Sequence, residues 1–143
     1  MARFTFSERE WCLHYGELLE SKTEKTDGCW LFTGRKDKSG YGIMDVVIPG
    51  KGKTVRTAHK LVCMVNMNCT WKWPPKLEAS HLCARPECIR LEHLVMESHS
   101  DNKSRQICHR SGFCAPGKRH NPKCIIVHDP VRLSDFLRGK ALA

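Results

Sequence analysis

Residues 80–102 read SHLCARPECIRLEHLVMESHSDN. Within this stretch two cysteines and a histidine recur at equal spacing, as Cys83, Cys88 and His93. Structural zinc is almost always bound by four tetrahedral cysteine or histidine ligands. The spacing therefore predicts three ligands of one zinc ion. Cys29, which begins the first predicted strand, is the candidate for the fourth ligand, and its use would clamp that strand to the loop.

A second group of metal-type residues follows closely in the chain, at Cys108, Cys114, His120 and Cys124. Its local spacing predicts a second zinc site, for which His109 remains an alternative to His120. The region from Ser80 to Cys124 contains little aliphatic material, so we expect ligands rather than an apolar core to order it. The other cysteines have no metal-like spacing and are predicted to be small buried residues; they are Cys12, Cys63 and Cys69.

The composition favours one soluble globular domain with an acidic partner. The chain has 143 residues, a formal net charge of +9 and nine cysteines. An odd cysteine count, together with eight histidines and no recognisable secretory signal, argues for zinc rather than disulfides. We therefore expect an intracellular, reducing compartment, the nucleus if the cell is eukaryotic, and no membrane association. Excess positive charge favours nucleic acid as the partner.

Local patterns predict a mixed α and β architecture. Ser7 and Glu10 have capping-box spacing at the start of a helix over residues 7–20. Residues 28–56 alternate short apolar runs with glycine-rich turns, which predicts a β-meander. A second helix is predicted over residues 57–66, and Ser98 with Asp101 predicts the start of a third. A short helix over residues 134–142 is predicted in the tail.

The motifs resemble the His-Cys box homing endonucleases encoded by group I introns, members of the ββα-metal (His-Me finger) nucleases, which include the HNH enzymes. The resemblance rests on SHLC at 80–83, Cys88, HL at 93–94 and DNK at 101–103. The stretches at 28–34, 40–42 and 58–59 are also similar to phage HNH-type zinc-binding endonucleases. The whole resemblance covers residues 28–124. It implies an α+β fold, namely a small zinc-stabilised ββα-metal domain with an antiparallel β-meander and short helices.

The resemblance also implies roles for individual residues. His81 matches the general base, and Asn102 matches the asparagine that binds a catalytic Mg²⁺, for which Mn²⁺ can substitute. The two cysteine and histidine groups match two structural zinc sites, although the spacing before His120 is longer than in the family. An arginine of the family's meander stabilises the scissile phosphate. An ungapped reading places Lys51 there, with Lys53 and Arg56 close by, and leaves the choice open.

Elementary chemistry agrees with these roles. Phosphodiester hydrolysis needs an activated water, and histidine titrates near neutral pH. It also needs a cation beside the developing negative charge, and magnesium prefers oxygen ligands. The amide of Asn102 offers one such oxygen, so DNA phosphates must complete the shell. His81 stands two residues before Cys83, so zinc at Cys83 would fix the strand that carries the base.

These inferences predict an endonuclease domain over residues 1–124. It comprises a DNA-binding meander (28–56), an active-site motif (80–107) and a second zinc loop (108–124). The tail, 125–143, is a possible dimerisation arm of a homodimer, with apolar anchors Leu133, Phe136, Leu137 and Leu142. A two-stranded ribbon fits the DNA major groove. The basic residues expected to contact double-stranded DNA there are Lys36, Lys38, Lys51, Lys53 and Arg56.

The predicted function is metal-dependent hydrolysis of DNA to 5′-phosphate and 3′-hydroxyl ends. The main alternative is a catalytically inactive, zinc-stabilised DNA-binding module. RNA binding is a weaker alternative, because the chain lacks an obvious series of stacking aromatic residues. A purely structural zinc protein would leave the excess charge and Asn102 unexplained.

Overall fold

The computed structural model describes residues 7–111 and 120–125. Within these residues the chain forms three α-helices and six short β-strands. The helices are α1 (Glu8–Ser21), α2 (Ala58–Cys63) and α3 (His99–Ser111). The strands are β1 (Thr23–Lys25), β2 (Trp30–Phe32), β3 (Ile43–Ile48), β4 (Gly52–Thr57), β5 (Leu77–His81) and β6 (Leu94–Ser98). No helix in the described part is both long and apolar enough to cross a membrane.

The first helix begins where the capping pattern predicts. The Ser7 side chain accepts from the Glu10 backbone N–H, and the Glu10 carboxylate accepts from the Ser7 N–H. Trp11 Nε1 then donates to the Val47 carbonyl at 2.8 Å, while the Val47 N–H donates to the Tyr15 hydroxyl at 2.7 Å. Both rings are buried. Helix α1 is therefore hydrogen-bonded to β3 through these two side chains, which share one apolar core with the buried face of that strand.

The strands pair differently from the predicted continuous meander. The described strands form three separate antiparallel pairs, β1–β2, β3–β4 and β5–β6. Strand β2 pairs with β1 on one side and is bridged through Leu31 to Cys88 on the other. Both of its edges are thus used, and the turn between β2 and β3 joins the start of β3 through one isolated backbone bridge, Lys36–Gly42, and through the ion pair of Arg35 with Asp45. The meander prediction was wrong in this pairing, and the DNA-binding candidate is a hairpin.

The helix predicted over residues 57–66 is found, but it is α-helical only in its first part. Helix α2 continues into a wider π-helical turn, Met64–Asn68. That turn ends at Cys69, which adopts a left-handed φ of 54°. Cys63 is fully buried as predicted and Cys12 is half-buried, whereas Cys69 is exposed. The prediction of a buried Cys69 was wrong, because this residue ends the helix at the surface.

Strands β5 and β6 and helix α3 form a ββα unit. His81, the last residue of β5, is paired with Leu94, the first residue of β6. Helix α3 follows β6 directly, and the Ser98 hydroxyl accepts from the Asp101 N–H at 3.1 Å, as the capping pattern predicts. His81 therefore lies at a strand end. Asn102 lies in the first turn of the helix packed against that strand.

Candidate metal centre and active site

The four ligands predicted for the first zinc ion come together in the fold. One ligand atom from each of Cys29, Cys83, Cys88 and His93 lies within 4.8 Å of the others. The Nδ1 atom of His93 is 3.6 Å from the Cys29 sulfur and 3.5 Å from the Cys88 sulfur. Three sulfurs and one imidazole nitrogen form a donor set that suits tetrahedral zinc. This cluster supports a structural zinc site.

Backbone pairing carries Cys29 to the other three ligands. The Ile89 N–H donates to the Trp30 carbonyl at 2.7 Å, and Leu31 is bridged to Cys88. The segment around Cys88 thus runs along the free edge of β2. Cys29 immediately precedes that strand, so it is delivered to the cluster from about sixty residues away in the sequence.

A half-buried arginine, Arg90, holds the loop before Cys29. The Arg90 guanidinium donates to the carbonyls of Asp27 and Gly28 at 3.0 and 2.7 Å. It also stacks on the Trp30 ring, 5.4 Å from the ring centroid. Arg90 lies between the ligands Cys88 and His93, so one side chain connects both chain segments of the site.

The crowded sulfurs polarise one another. A hydrogen bond from the Cys83 thiol lowers the pKa of Cys88 to about 5. Burial, and then the charge of Cys88, raises the pKa of Cys29 to about 11. Zinc binds thiolates, so metal binding at this cluster must release the remaining thiol protons.

His81 is held in one tautomer by the zinc loop. Its Nε2 donates to the Cys88 carbonyl at 2.9 Å, and a carbonyl can only accept. The Nδ1 of the neutral ring is consequently the proton acceptor. His81 is only 7% exposed. Burial, and then the neighbouring His59, holds the pKa of His81 well below its ordinary value, so the neutral base is the favoured form.

Two further rings stack around His81. The His59 ring centroid is 4.2 Å from that of His81, and the Tyr41 ring is 5.3 Å from His59 and 5.7 Å from His81. His59 Nε2 donates to the Ala79 carbonyl at 3.1 Å. Burial lowers the pKa of His59 to about 4. His59 therefore stays neutral near pH 7 and packs against His81.

An open cavity of about 330 Å³ adjoins this stack. His81 and Asn102, predicted from the sequence as the base and the metal ligand, both line it. The other described residues around it are Tyr41, Thr57, His59, Lys60, Leu77, Glu78, Ala79, Ala84, Pro86, Gln106 and His109. Strand β5 contributes His81 and helix α3 contributes Asn102, so the ββα unit supplies both of these residues.

A carboxylate that the sequence reasoning missed holds Asn102. The Asn102 Nδ2 donates to Glu78 Oε1 at 2.8 Å, and Glu78 Oε2 accepts from His99 Nδ1 at 2.8 Å. The hydrogen bonds from Asn102 and His99, with the charge of Lys103, lower the pKa of Glu78. The oxygen-rich pair of an amide and a carboxylate suits Mg²⁺. A glutamate in a strand gives no local signal of this role, because it depends on how α3 packs on β5.

The basic residue beside the cavity is not the one that the ungapped reading selects. Among the described lining residues, Lys60 is the one lysine or arginine, and its Nζ lies 4.8 Å from the Trp73 ring centroid. Burial, and then the charges of Arg56 and Lys51, lowers the pKa of Lys60. Arg56 donates to Thr54 Oγ1 and the Val55 carbonyl of its own strand, and Lys51 is exposed. Both lie near Lys60 but do not line the cavity.

The second cysteine and histidine group is gathered in its described part. His120 Nδ1 lies 3.5 Å from the Cys124 sulfur and 3.9 Å from the Cys108 sulfur. Cys114 lies outside the described residues. His109 lines the cavity beside His81. The geometry thus favours His120 over His109 as the ligand of this group.

A buried ion pair connects this second group to the ββα unit. Arg105 Nε donates to the Glu97 carboxylate at 2.6 Å, and both side chains are almost fully buried. The other end of the guanidinium donates to the Cys124 sulfur at 3.5 Å. The Ile125 N–H, next in the chain, donates to the Leu82 carbonyl at 2.6 Å. The second group is therefore anchored beside the residue that follows His81.

The β3–β4 hairpin has one buried and one open face. Met44, Val46 and Ile48 face the core. The pairs Asp45–Val55 and Val47–Lys53 stand on the opposite face, where Val47 and Val55 are exposed. Of the predicted DNA contacts, Lys36, Lys38, Lys51 and Lys53 are exposed and Arg56 is half-buried.

Comparison with known proteins identifies one family. The sequence profile of the family described as "Zinc-binding loop region of homing endonuclease" matches residues 22–134, which is most of the chain. The matched range includes all eight residues of the two cysteine and histidine groups, and also His81 and Asn102. No curated protein and no solved structure matches the chain.

Proposed function

Because this chain belongs to the family that carries the zinc-binding loop of homing endonucleases, we propose that it is a magnesium-dependent endonuclease acting on double-stranded DNA. The family indicates a nuclease-related function, and the chemistry of the site supports magnesium-dependent cleavage of DNA. One observation carries it. His81, fixed in one tautomer by the Cys88 carbonyl, shares a cavity with Asn102.

In this proposal His81 accepts a proton from the attacking water. Its Nε2–H is committed to the Cys88 carbonyl, so the proton moves to Nδ1. Proton transfer by a positioned base contributes about 10²–10⁴-fold to a rate. The zinc loop that supplies the Cys88 carbonyl thereby orients the base, and the rings of His59 and Tyr41 pack against it.

Asn102 is the proposed protein ligand of a divalent cation. Its amide nitrogen is occupied by Glu78, which leaves the amide oxygen for the ion. A bound Mg²⁺ supplies charge stabilisation for the leaving 3′ oxygen. The products would then carry 5′-phosphate and 3′-hydroxyl ends.

Lys60 is proposed to contact the scissile phosphate, ahead of Arg56 and Lys51. It lines the cavity that holds His81 and Asn102, and its ammonium group lies over the Trp73 ring. Lys60→Met, which keeps the stem, should lower the single-turnover cleavage rate by about 10²-fold, the scale for losing one stabilising donor. Lys53→Met, on the open face of the hairpin, should weaken DNA binding more than it lowers the cleavage rate of bound DNA. If Lys60→Met weakens binding without lowering the cleavage rate, while Lys53→Met lowers the cleavage rate, Lys60 does not have this role.

The open face of the β3–β4 hairpin is the proposed DNA contact surface. Exposed lysines at the hairpin and the preceding turn supply phosphate contacts, which position a protein on the duplex. Binding should weaken steeply with added salt, because each phosphate contact releases counterions. A combined Lys36→Gln, Lys38→Gln and Lys53→Gln variant should show a smaller salt slope in a fluorescence anisotropy titration. An unchanged slope would place the surface elsewhere.

The activity itself is tested with His81→Ala and Asn102→Ala. Each variant should bind duplex DNA like the wild type but cut supercoiled plasmid about 10²–10⁴-fold more slowly in single turnover with magnesium. His14→Ala, a matched change of an exposed histidine on α1, should leave the rate unchanged. If the wild type binds DNA but cuts none with either magnesium or manganese, the protein is the inactive DNA-binding module instead.

A homodimer is proposed as the acting form. Each chain carries one such cavity among its described residues, and two-fold symmetry is the simplest way to cut both strands of a duplex. The anchors Leu133, Phe136, Leu137 and Leu142 lie outside the described residues. Sedimentation at micromolar concentration should give the mass of two chains. A monomer that cuts both strands at full rate would contradict this.

A further inference from the structure

We propose that Glu78 is a positioning residue for the catalytic cation, because its carboxylate holds the Asn102 amide with the oxygen available to the ion. The inference rests on the proposed function, since it takes Asn102 as the metal ligand. Neither the motif spacing nor the family match assigns a role to Glu78.

The polarity of one hydrogen bond carries the argument. The amide nitrogen of Asn102 lies 2.8 Å from Glu78 Oε1, and a carboxylate oxygen only accepts. An amide rotated by half a turn would place its oxygen against the carboxylate, and this contact is repulsive. The charged acceptor therefore selects a single amide orientation, with the nitrogen towards β5 and the oxygen away from it.

Glu78 is itself held on both sides. Its second oxygen accepts from His99 at 2.8 Å, and its backbone lies within the paired register of β5 and β6. His99 and Asn102 are three residues apart on α3, so they share one face of the helix. One carboxylate thus joins the first turn of α3 to the strand that ends at His81. The proposed base and the proposed metal ligand are kept in a fixed relation.

A different role for the same carboxylate would be direct metal binding or simple attraction of the cation. Glu78→Gln distinguishes the positioning role from a role as metal ligand or attracting charge. The glutamine carbonyl still accepts from the Asn102 amide, and its NH₂ group can donate to Nδ1 of His99 in the other neutral tautomer. Glu78→Ala removes the acceptor altogether. A positioning role tolerates the first change and not the second, whereas a ligand or charge role tolerates neither.

The test measures Mn²⁺ binding by electron paramagnetic resonance. Complexes with a duplex DNA are formed in the His81→Ala background, in which cleavage is expected to be about 10²–10⁴-fold slower, and the signal of the duplex alone is subtracted. Partners that orient a metal ligand typically change affinity 10–100-fold, so Glu78→Ala should raise the Kd for Mn²⁺ by about 10-fold or more. Glu78→Gln should stay within about threefold of the parent, as should the exposed control Glu24→Gln.

The outcomes separate this inference from the proposed function. Equal losses in Glu78→Gln and Glu78→Ala, or no loss in either, overturn the positioning role but leave Asn102 as the ligand if Asn102→Ala loses Mn²⁺. Unchanged binding in Asn102→Ala overturns the ligand assignment and the positioning role together. Zinc content is measured for every variant. Glu78→Leu, which keeps volume without an acceptor, replaces Glu78→Ala if the latter loses zinc.

Discussion

The chemistry available to His81 and Asn102 is set by the hydrogen-bond partners that the fold gives them. His81 is a histidine like any other in the sequence, but its Nε2 is committed to the carbonyl of a residue in the zinc cluster. Asn102 is similarly committed through its nitrogen to Glu78. In both residues one polar atom is used by the fold, and the other is left for the proposed reaction.

Burial of His81 leads to a prediction about pH. In the proposed role its competent form is the neutral ring, and burial with the nearby His59, His109 and His93 lowers its pKa. A lowered pKa keeps the base neutral at more acid pH, so activity should persist below the range of an ordinary histidine. With an unperturbed pKa of about 6.5, only about one quarter of the histidine would be neutral at pH 6. The single-turnover rate at pH 6 should therefore exceed one quarter of its plateau.

The profile is measured on bound DNA with saturating magnesium, together with the zinc content at each pH. Zinc retention matters because its thiolate ligands also protonate in acid. A rate that declines with an apparent pKa at or above about 6.5, at constant zinc content, would contradict the lowered pKa of the base.

At the scale of elements, the packing around Phe32 brings β2 close to the residue that precedes β3. The buried ring of Phe32 lies against the backbone of Gly34 and Gly42, where a Cβ atom would collide with it. The same Gly42 carbonyl accepts from the Ala58 N–H at 2.7 Å, at the start of α2. Close approach at Gly42 therefore connects β2, the start of the hairpin and the helix that carries His59 and Lys60.

Gly42→Ala should accordingly destabilise the domain. Forcing an extra methyl into a packed contact typically costs about 1–3 kcal/mol, and we expect a loss of this size in the free energy of unfolding of the zinc-loaded protein. Gly28→Ala is the matched control, since a Cβ there meets nothing within 4 Å. Denaturant unfolding followed by tryptophan fluorescence makes the comparison. Equal stability of the two variants would show that the Phe32 ring moves aside at little cost.

At the scale of the whole molecule, two cysteine and histidine groups both contact the end of the strand that carries His81. The first supplies the Cys88 carbonyl to His81, and the second is tied through Ile125 to Leu82. Arg105 joins the second group to Glu97 on β6. The ββα unit is thus connected to both groups of side chains with metal-binding chemistry.

Zinc counting tests this arrangement. The wild type should contain two zinc ions per chain, and Cys88→Ser and Cys124→Ser should each lose one. Cys69→Ser, a change of an exposed cysteine outside both groups, should retain both. Elemental analysis with thermal unfolding gives the counts and the stability. A wild type that holds one ion, with Cys124→Ser unchanged, would eliminate the second site; a sharp transition retained in strong chelator would eliminate the structural role of zinc.

Sequence alone determined the parts of this protein that depend on local chemistry. The capping patterns at Ser7 and Ser98, and the evenly spaced ligands Cys83, Cys88 and His93, follow from short-range rules of hydrogen bonding and coordination, whereas Cys29 reaches them through the pairing of β2. The pairing of β2, the exposure of Cys69, the cavity position of Lys60 and the contact of Glu78 with Asn102 were decided only by tertiary structure. Each depends on which distant segment occupies a strand edge or a helix face. That choice is made by packing between residues far apart in the chain, and no local pattern records it.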